Sequence, residues 1–257
     1  MRQPRCNRGL SVGILEYRLQ SSDLVIRVFE FVLLLFSLSF HECAHAWMAS
    51  RLGDQTARMQ GRITLNPMSH IDPIGTLLFP ALIIFGPLIG FTFFSGLIVG
   101  WAKPTPVITR NFQKILRDDN LTTLAGPVSN LILVFLAVVV LAVFCIAVPG
   151  GRLLVLASLS GGLGATAPSG MQALVILAIL AIEINLSLFY FNLLPIPPLD
   201  GSRILRNVLP YNAVQAYDRI PIWVSYLVMI FLGGYILSLL LNPSMALVFW
   251  PFLRLNP

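Results

Sequence analysis

The sequence predicts an all-α polytopic membrane protein. It calls for about five to six transmembrane or re-entrant helices, a small membrane-associated β-hairpin and a proline-broken helix late in the chain. Three observations carry this. Hydrophobic residues make up 56% of the 257 residues and charged residues only 11%, against roughly 25% charged in soluble domains. Apolar runs recur over 24–50, 121–148, 171–192 and 222–241, each near the ~20 residues a spanning helix needs. Ionisable residues sit inside two of those runs (His41, Glu42, His45 and Glu183), where their cost makes a functional role the default expectation.

The net charge of +6 comes from arginine-rich loops. In so apolar a chain such loops set topology and meet anionic lipid of the bilayer rather than nucleic acid. Three cysteines, Cys6, Cys43 and Cys145, make no disulfide framework.

Residues 1–23 form a basic lead-in with Arg2, Arg5, Arg8 and Arg18 and no apolar stretch of signal-peptide type. The first hydrophobic run is therefore expected to stay as a membrane helix. A core of residues 24–221 follows, then a C-terminal helix and interfacial tail over 222–257. The first helix runs from Leu24 to about Ser50 and carries His41-Glu42-Cys43-Ala44-His45 in its second half. Four-residue spacing puts both imidazoles on one helical face, one turn apart, where they can share a metal ion. Glu42 projects beside that face and is placed to take a proton from a water the metal activates. Cys43 points away from the face and reads as a packing residue. The plainer reading is a pair of packing or capping histidines in a buried helix.

Beyond this helix, residues 56–65 are punctuated by Gly61 and alternate polar and apolar from Arg62 to Leu65, which suits short strands at the membrane surface. Either these strands or the 103–107 edge is a candidate for pairing with an unwound substrate. Asn66-Pro67 and Asp72-Pro73 mark turns, with His70 between them as either a gating residue or a loop hydrogen-bonding group. The apolar run 74–101 holds Pro80, Gly86, Pro87, Gly90 and Gly96. A broken, re-entrant pair of half-helices is allowed there if protein shields the backbone. Lys103-Pro104-Thr105-Pro106-Val107 must be extended, because each proline drives the preceding residue out of the helical region.

The span from Leu121 opens with Ala125-Gly126-Pro127-Val128-Ser129-Asn130. Residues 150–168 read as a small-residue loop. The helix from Met171 ends in Asn192-Leu193-Leu194-Pro195-Ile196-Pro197-Pro198-Leu199-Asp200-Gly201. Three prolines in four residues stop it and leave backbone groups unpaired, a break tolerated at membrane depth only where it lines a cavity or is otherwise satisfied. A catalytic zinc takes three protein ligands and keeps a position open. Asp200 is the natural third ligand beside His41 and His45; the bland alternative is that it caps a following helix.

These two motifs together resemble the site-2 protease-like intramembrane zinc metalloproteases. The likeness extends over Gly61 to Thr76, Trp101 to Val107 and Ala125 to Asn130, roughly residues 35–210 in all. It points to the compact bacterial and archaeal subgroup, since no insertion is long enough for a PDZ domain. The resemblance implies Zn2+ held by His41, His45 and Asp200, with Glu42 as general base and acid. It implies hydrolysis of a peptide bond in or near the transmembrane segment of a protein or peptide substrate, in the cell membrane, with the active site towards the cytoplasm. Asn130 and Asn192 are candidates by position for oxyanion or substrate contacts, or for satisfying backbone groups freed by the prolines. Glu183 receives no catalytic role. Two other classes of function compete: a non-proteolytic relative that binds membrane segments, and a metal transporter using His and Asp as a transit site.

Topology carries a conflict. If 74–101 crosses fully, Lys and Arg divide twelve against five between the two sides, which suits the positive-inside rule. The two metal motifs then lie towards opposite faces. If the run re-enters, the division is ten against seven, and the motifs share a side. Shared ligation is the stronger constraint and favours re-entry.

Overall fold

A computed structural model describes residues 24–91, 101–160 and 170–254. The expected lead-in 1–23 lies outside the described residues, as do 92–100, 161–169 and the last residues of the tail. Four helices are long and apolar enough to cross a membrane by length and composition. These are α1 (Leu24–Arg51), α4 (Ile115–Ala147), α6 (Gly170–Leu193) and the span Ile222–Leu253. That span comprises α9 (Ile222–Val228), a π-helical turn Met229–Gly233 and α10 (Gly234–Arg254). Shorter pieces connect them: α2 (Thr56–Met59), α3 (Phe79–Phe85), α5 (Gly151–Leu159), α7 (Asp200–Val208) and α8 (Tyr211–Asp218).

Helix α4 lies between α1 and α6 and packs most extensively against both. The C-terminal half of α1 meets the start of α4, where His45 contacts Thr122, so these helices are antiparallel. Helix α6 runs parallel to α1: Val25 and Phe29 line one small cavity with Ile176 and Leu180, and Asn185 donates to Ser37 at 3.0 Å. The main apolar core lies at the far end of the bundle. Leu141 and Phe144 of α4 pack there with Val155 of α5, Val175 and Ile182 of α6, and Phe249 and Phe252 of α10.

Because α1 and α4 are antiparallel, Arg51 and Ile115 lie at the same end of the bundle. The described ends of the 74–101 run agree, because Trp101 N–H donates to the Gly75 carbonyl at 3.2 Å and Thr76 Oγ1 to the Trp101 carbonyl at 2.7 Å. What leaves at residue 75 is back beside it at residue 101. The outgoing arm is an apolar helix, Pro73–Leu88, too short to count among the spans.

Three expectations are corrected. The β-hairpin is absent: among the described residues there is no strand. Asp54 Oδ1 accepts from Thr56 N–H at 3.1 Å and Oγ1–H at 2.5 Å, a local side-chain bond that starts a helical turn instead, and Ala57 of that turn is fully buried. The alternating residues that follow find no partner strand. Side chains close their loop, with Arg62 donating to the Ser69 carbonyl and His70 Nε2 bonding the Thr64 carbonyl at 3.0 Å. Second, the expected loop from residue 150 begins as helix α5, because Val155 and Leu159, one turn apart, are buried against the core. Gly150, at φ +74°, makes the tight entry, a conformation glycine adopts without steric cost. Third, the last helix does not stop at 241. It runs through Pro243 and Pro251, since burial of Met245, Phe249 and Phe252 outweighs the hydrogen bonds the prolines remove.

Candidate metal centre

His41 and His45 lie in the second half of α1, both buried. Their rings stand almost perpendicular at 4.6 Å between centroids, with the two Nε2 atoms 3.0 Å apart. Asp200, the first residue of α7, brings Oδ2 to 3.2 Å from both of these nitrogens. A tetrahedral ion with bonds of about 2.0–2.1 Å separates its ligands by about 3.3 Å. The three atoms stand at that spacing, and Asp200 Oδ2 is buried without a hydrogen-bond partner. The donor set of two imidazoles and one carboxylate, with one position open, is that of a catalytic zinc.

Several elements aim these ligands. His45 Nδ1–H donates to the Thr122 carbonyl at 2.8 Å, which leaves the Nε2 lone pair free and fixes the ring, the usual second contact of a ligating histidine. Gly126 lets α4 approach: a Cβ there would stand 2.3 Å from His45 Nε2 and 2.6 Å from His41 Cε1. Asp200 is delivered by the proline break. Helix α6 ends at Leu193 and the chain turns through Pro195 to Leu199 with a cis Pro197–Pro198 bond. It folds back so tightly that a Cβ on Gly201 would meet the Leu193 carbonyl at 2.2 Å.

Helix α7 is held to α4 by a polar clamp that the sequence reading missed. Asp119 accepts from Arg203 and, at 2.7 Å, from Asn207; Asn207 also donates to Asn120 at 2.8 Å. Arg203 and Asn207 lie three and seven residues beyond Asp200, so they share its helical face. The spacing was visible, but the partner lies more than 80 residues away. Asp119→Ala should lower zinc affinity on the order of 10–100-fold, the usual cost of losing a group that orients a metal ligand, as read by competition with a fluorescent chelator. Arg206→Ala, which breaks only the exposed Arg206–Asp218 pair, should leave it unchanged.

Glu42 joins the cluster: one of its carboxylate oxygens and the ring nitrogens of His41 and His45 all lie within 4.8 Å of one another. Oε2 accepts from Thr105 N–H at 3.0 Å and from Thr105 Oγ1–H at 2.8 Å. Asn130 is fully buried, and neither atom of its amide has a partner. Asn192 is spent on its own helix, donating to the Leu188 carbonyl at 2.9 Å. His70 is buried, bonds within its own loop and stands outside the His41–Glu42–His45 group.

The family model for peptidase family M50 matches residues 29–234. The chain belongs to peptidase family M50. Two relatives accord with this. "Putative zinc metalloprotease YwhC" of Bacillus subtilis (strain 168) is 37% identical over 223 residues, 87% of this chain and 84% of that protein. "Putative zinc metalloprotease Rip2" of Mycolicibacterium smegmatis is 30% identical over 223 residues, 85% of this chain and 70% of that protein. No solved structure matches the chain. As an M50 peptidase this protein is a multi-pass membrane zinc metalloprotease, and its His41–Glu42–His45 cluster is the family's HExxH motif.

Proposed function

We propose that the protein is an intramembrane zinc endopeptidase that hydrolyses a peptide bond in or near a substrate's transmembrane segment. The observation that carries the proposal is the convergence of His41 and His45 of α1 with Asp200 of α7 at metal-ligand spacing, with Glu42 beside them. Zinc, when bound, polarises the scissile carbonyl and acidifies a water. Glu42 takes that water's proton and passes it to the leaving amine. Asn130 is the better of the two asparagines as donor to the developing oxyanion, because its amide is uncommitted and it sits one turn beyond Gly126 on the same face of α4. Loop bonding is the reading that the contacts of His70 favour over gating.

The return of the chain at residues 75 and 101 supports a re-entrant hairpin for 74–101. Both metal motifs then lie towards one side, with ten of the seventeen Lys and Arg. By the positive-inside rule that side is cytoplasmic.

The test uses purified protein in detergent and a synthetic transmembrane peptide. Zinc removal by a chelator should abolish cleavage, re-addition should restore it, and mass spectrometry should place the cut in or beside the apolar stretch. Cleavage that survives chelation, or a zinc-loaded protein that binds the peptide without cutting it, would defeat the proposal.

A further inference from the structure

The segment that crosses the catalytic glutamate is built unlike an ordinary loop. Lys103 N–H donates to the His70 carbonyl at 2.9 Å, and Ile108 N–H to Asp54 Oδ2 at 2.7 Å. Asp54 is fully buried and also binds Thr56 and, at 2.8 Å, Asn111 Nδ2. The segment is thus tied at both ends. Between the ties the order is Pro104-Thr105-Pro106. Proline has no N–H and fixes φ, and Pro106 confines Thr105 to the extended region. Over these three residues the backbone has one donor, that of Thr105, and it is committed to Glu42 Oε2. The hydroxyl adds a second donor to the same oxygen and stands 3.1 Å from the Glu42 carbonyl. Among the described residues, no donor reaches Oε1.

We propose that Thr105 is the positioning residue for the general base: its N–H and hydroxyl hold Oε2 of Glu42, fixing the carboxylate plane so that Oε1 is the oxygen presented to the attacking water. The proposal rests on the assignment of Glu42 as the base. It gives the Pro-Thr-Pro sequence a task, since prolines on both sides hold the donor pair in one place. It also bears on substrate pairing along this edge. The N–H groups of Lys103 and Thr105 are already committed, and the prolines leave none at 104 and 106.

Thr105→Val keeps the shape and the N–H and removes only the hydroxyl; Thr105→Ser restores it. Cleavage of a synthetic transmembrane peptide and bound zinc are measured for both, with Glu42→Gln alongside. The expected result for Thr105→Val is kcat lowered about 10- to 100-fold, the usual range for losing a hydrogen bond to a charged group. KM and zinc content should not change, as for an interaction that acts in the transition state, and Thr105→Ser should run near the wild-type rate. Four outcomes overturn the proposal: a wild-type kcat in Thr105→Val, a rise in KM alone, loss of zinc, or equal damage in the serine variant. If Glu42→Gln itself cleaves normally, the assignment of the base has failed instead, and the two failures are separated.

Discussion

Glu42→Gln should lower cleavage on the order of 10²–10⁴-fold, the range a positioned general base contributes, while the protein keeps its zinc. The two effects separate because Glu42 is not among the three atoms at ligand spacing, which are His41 Nε2, His45 Nε2 and Asp200 Oδ2. An amide is close to isosteric with the carboxylate. Its oxygen can still accept from Thr105 N–H and Oγ1–H, so the fold around it is preserved. What the amide cannot do is take a proton. Zinc stoichiometry and initial rates on the same preparations check this. Undiminished cleavage would remove Glu42 from the mechanism, and loss of zinc would make it a ligand.

Gly126→Ala should lose zinc and cleavage together, although residue 126 offers no ligand atom. The added methyl would lie 2.3 Å from His45 Nε2 and 2.5 Å from its Cε1, far inside the roughly 3.5–4.0 Å of a normal carbon contact. Helices α1 and α4 would have to part by roughly 1 Å, or the rings turn off their ligand direction. A displacement of that size near a reacting centre can cost about 10²-fold in rate, and overpacking a tight contact costs about 1–3 kcal/mol of stability. The separation would also strain the Thr122 carbonyl bond that orients His45. Chelator competition and cleavage on folded protein, with circular dichroism as the control for helicity, test it. Wild-type zinc affinity in Gly126→Ala would mean that the helices have slack there.

The contrast between Glu42 and Gly126 marks how far local pattern reaches. The HECAH spacing is written into one helix, so a periodicity of 3.6 residues was enough to put both imidazoles on one face. The proline break was equally local, and beyond it Asp200 Oδ2 stands 3.2 Å from the Nε2 of each ring. Local signals misled where side chains outside the window competed. Gly61 and the 62–65 alternation suggested strands over 56–65, but Asp54 captured Thr56 and began a helical turn, and side chains closed the loop that follows. Small residues after 150 suggested a loop, yet burial of Val155 and Leu159 made a helix of them. The residues after 241 read as a short tail at the interface, yet the helix runs on to Arg254 with Met245, Phe249 and Phe252 buried in the core.

By itself the sequence determined the membrane class, the HExxH motif and where the long apolar helices begin, because each depends on residue type and short spacing. Only the tertiary structure decided that residues 75 and 101 lie side by side, that Thr105 lies on Glu42, and that Asp119 holds the helix bearing Asp200. It also decided that Gly126 is the gap into which the histidines fit. These are contacts between residues tens of positions apart. Nothing in the local order of residues specifies them. They follow from which helix faces can be packed together at once, and that is a property of the whole chain.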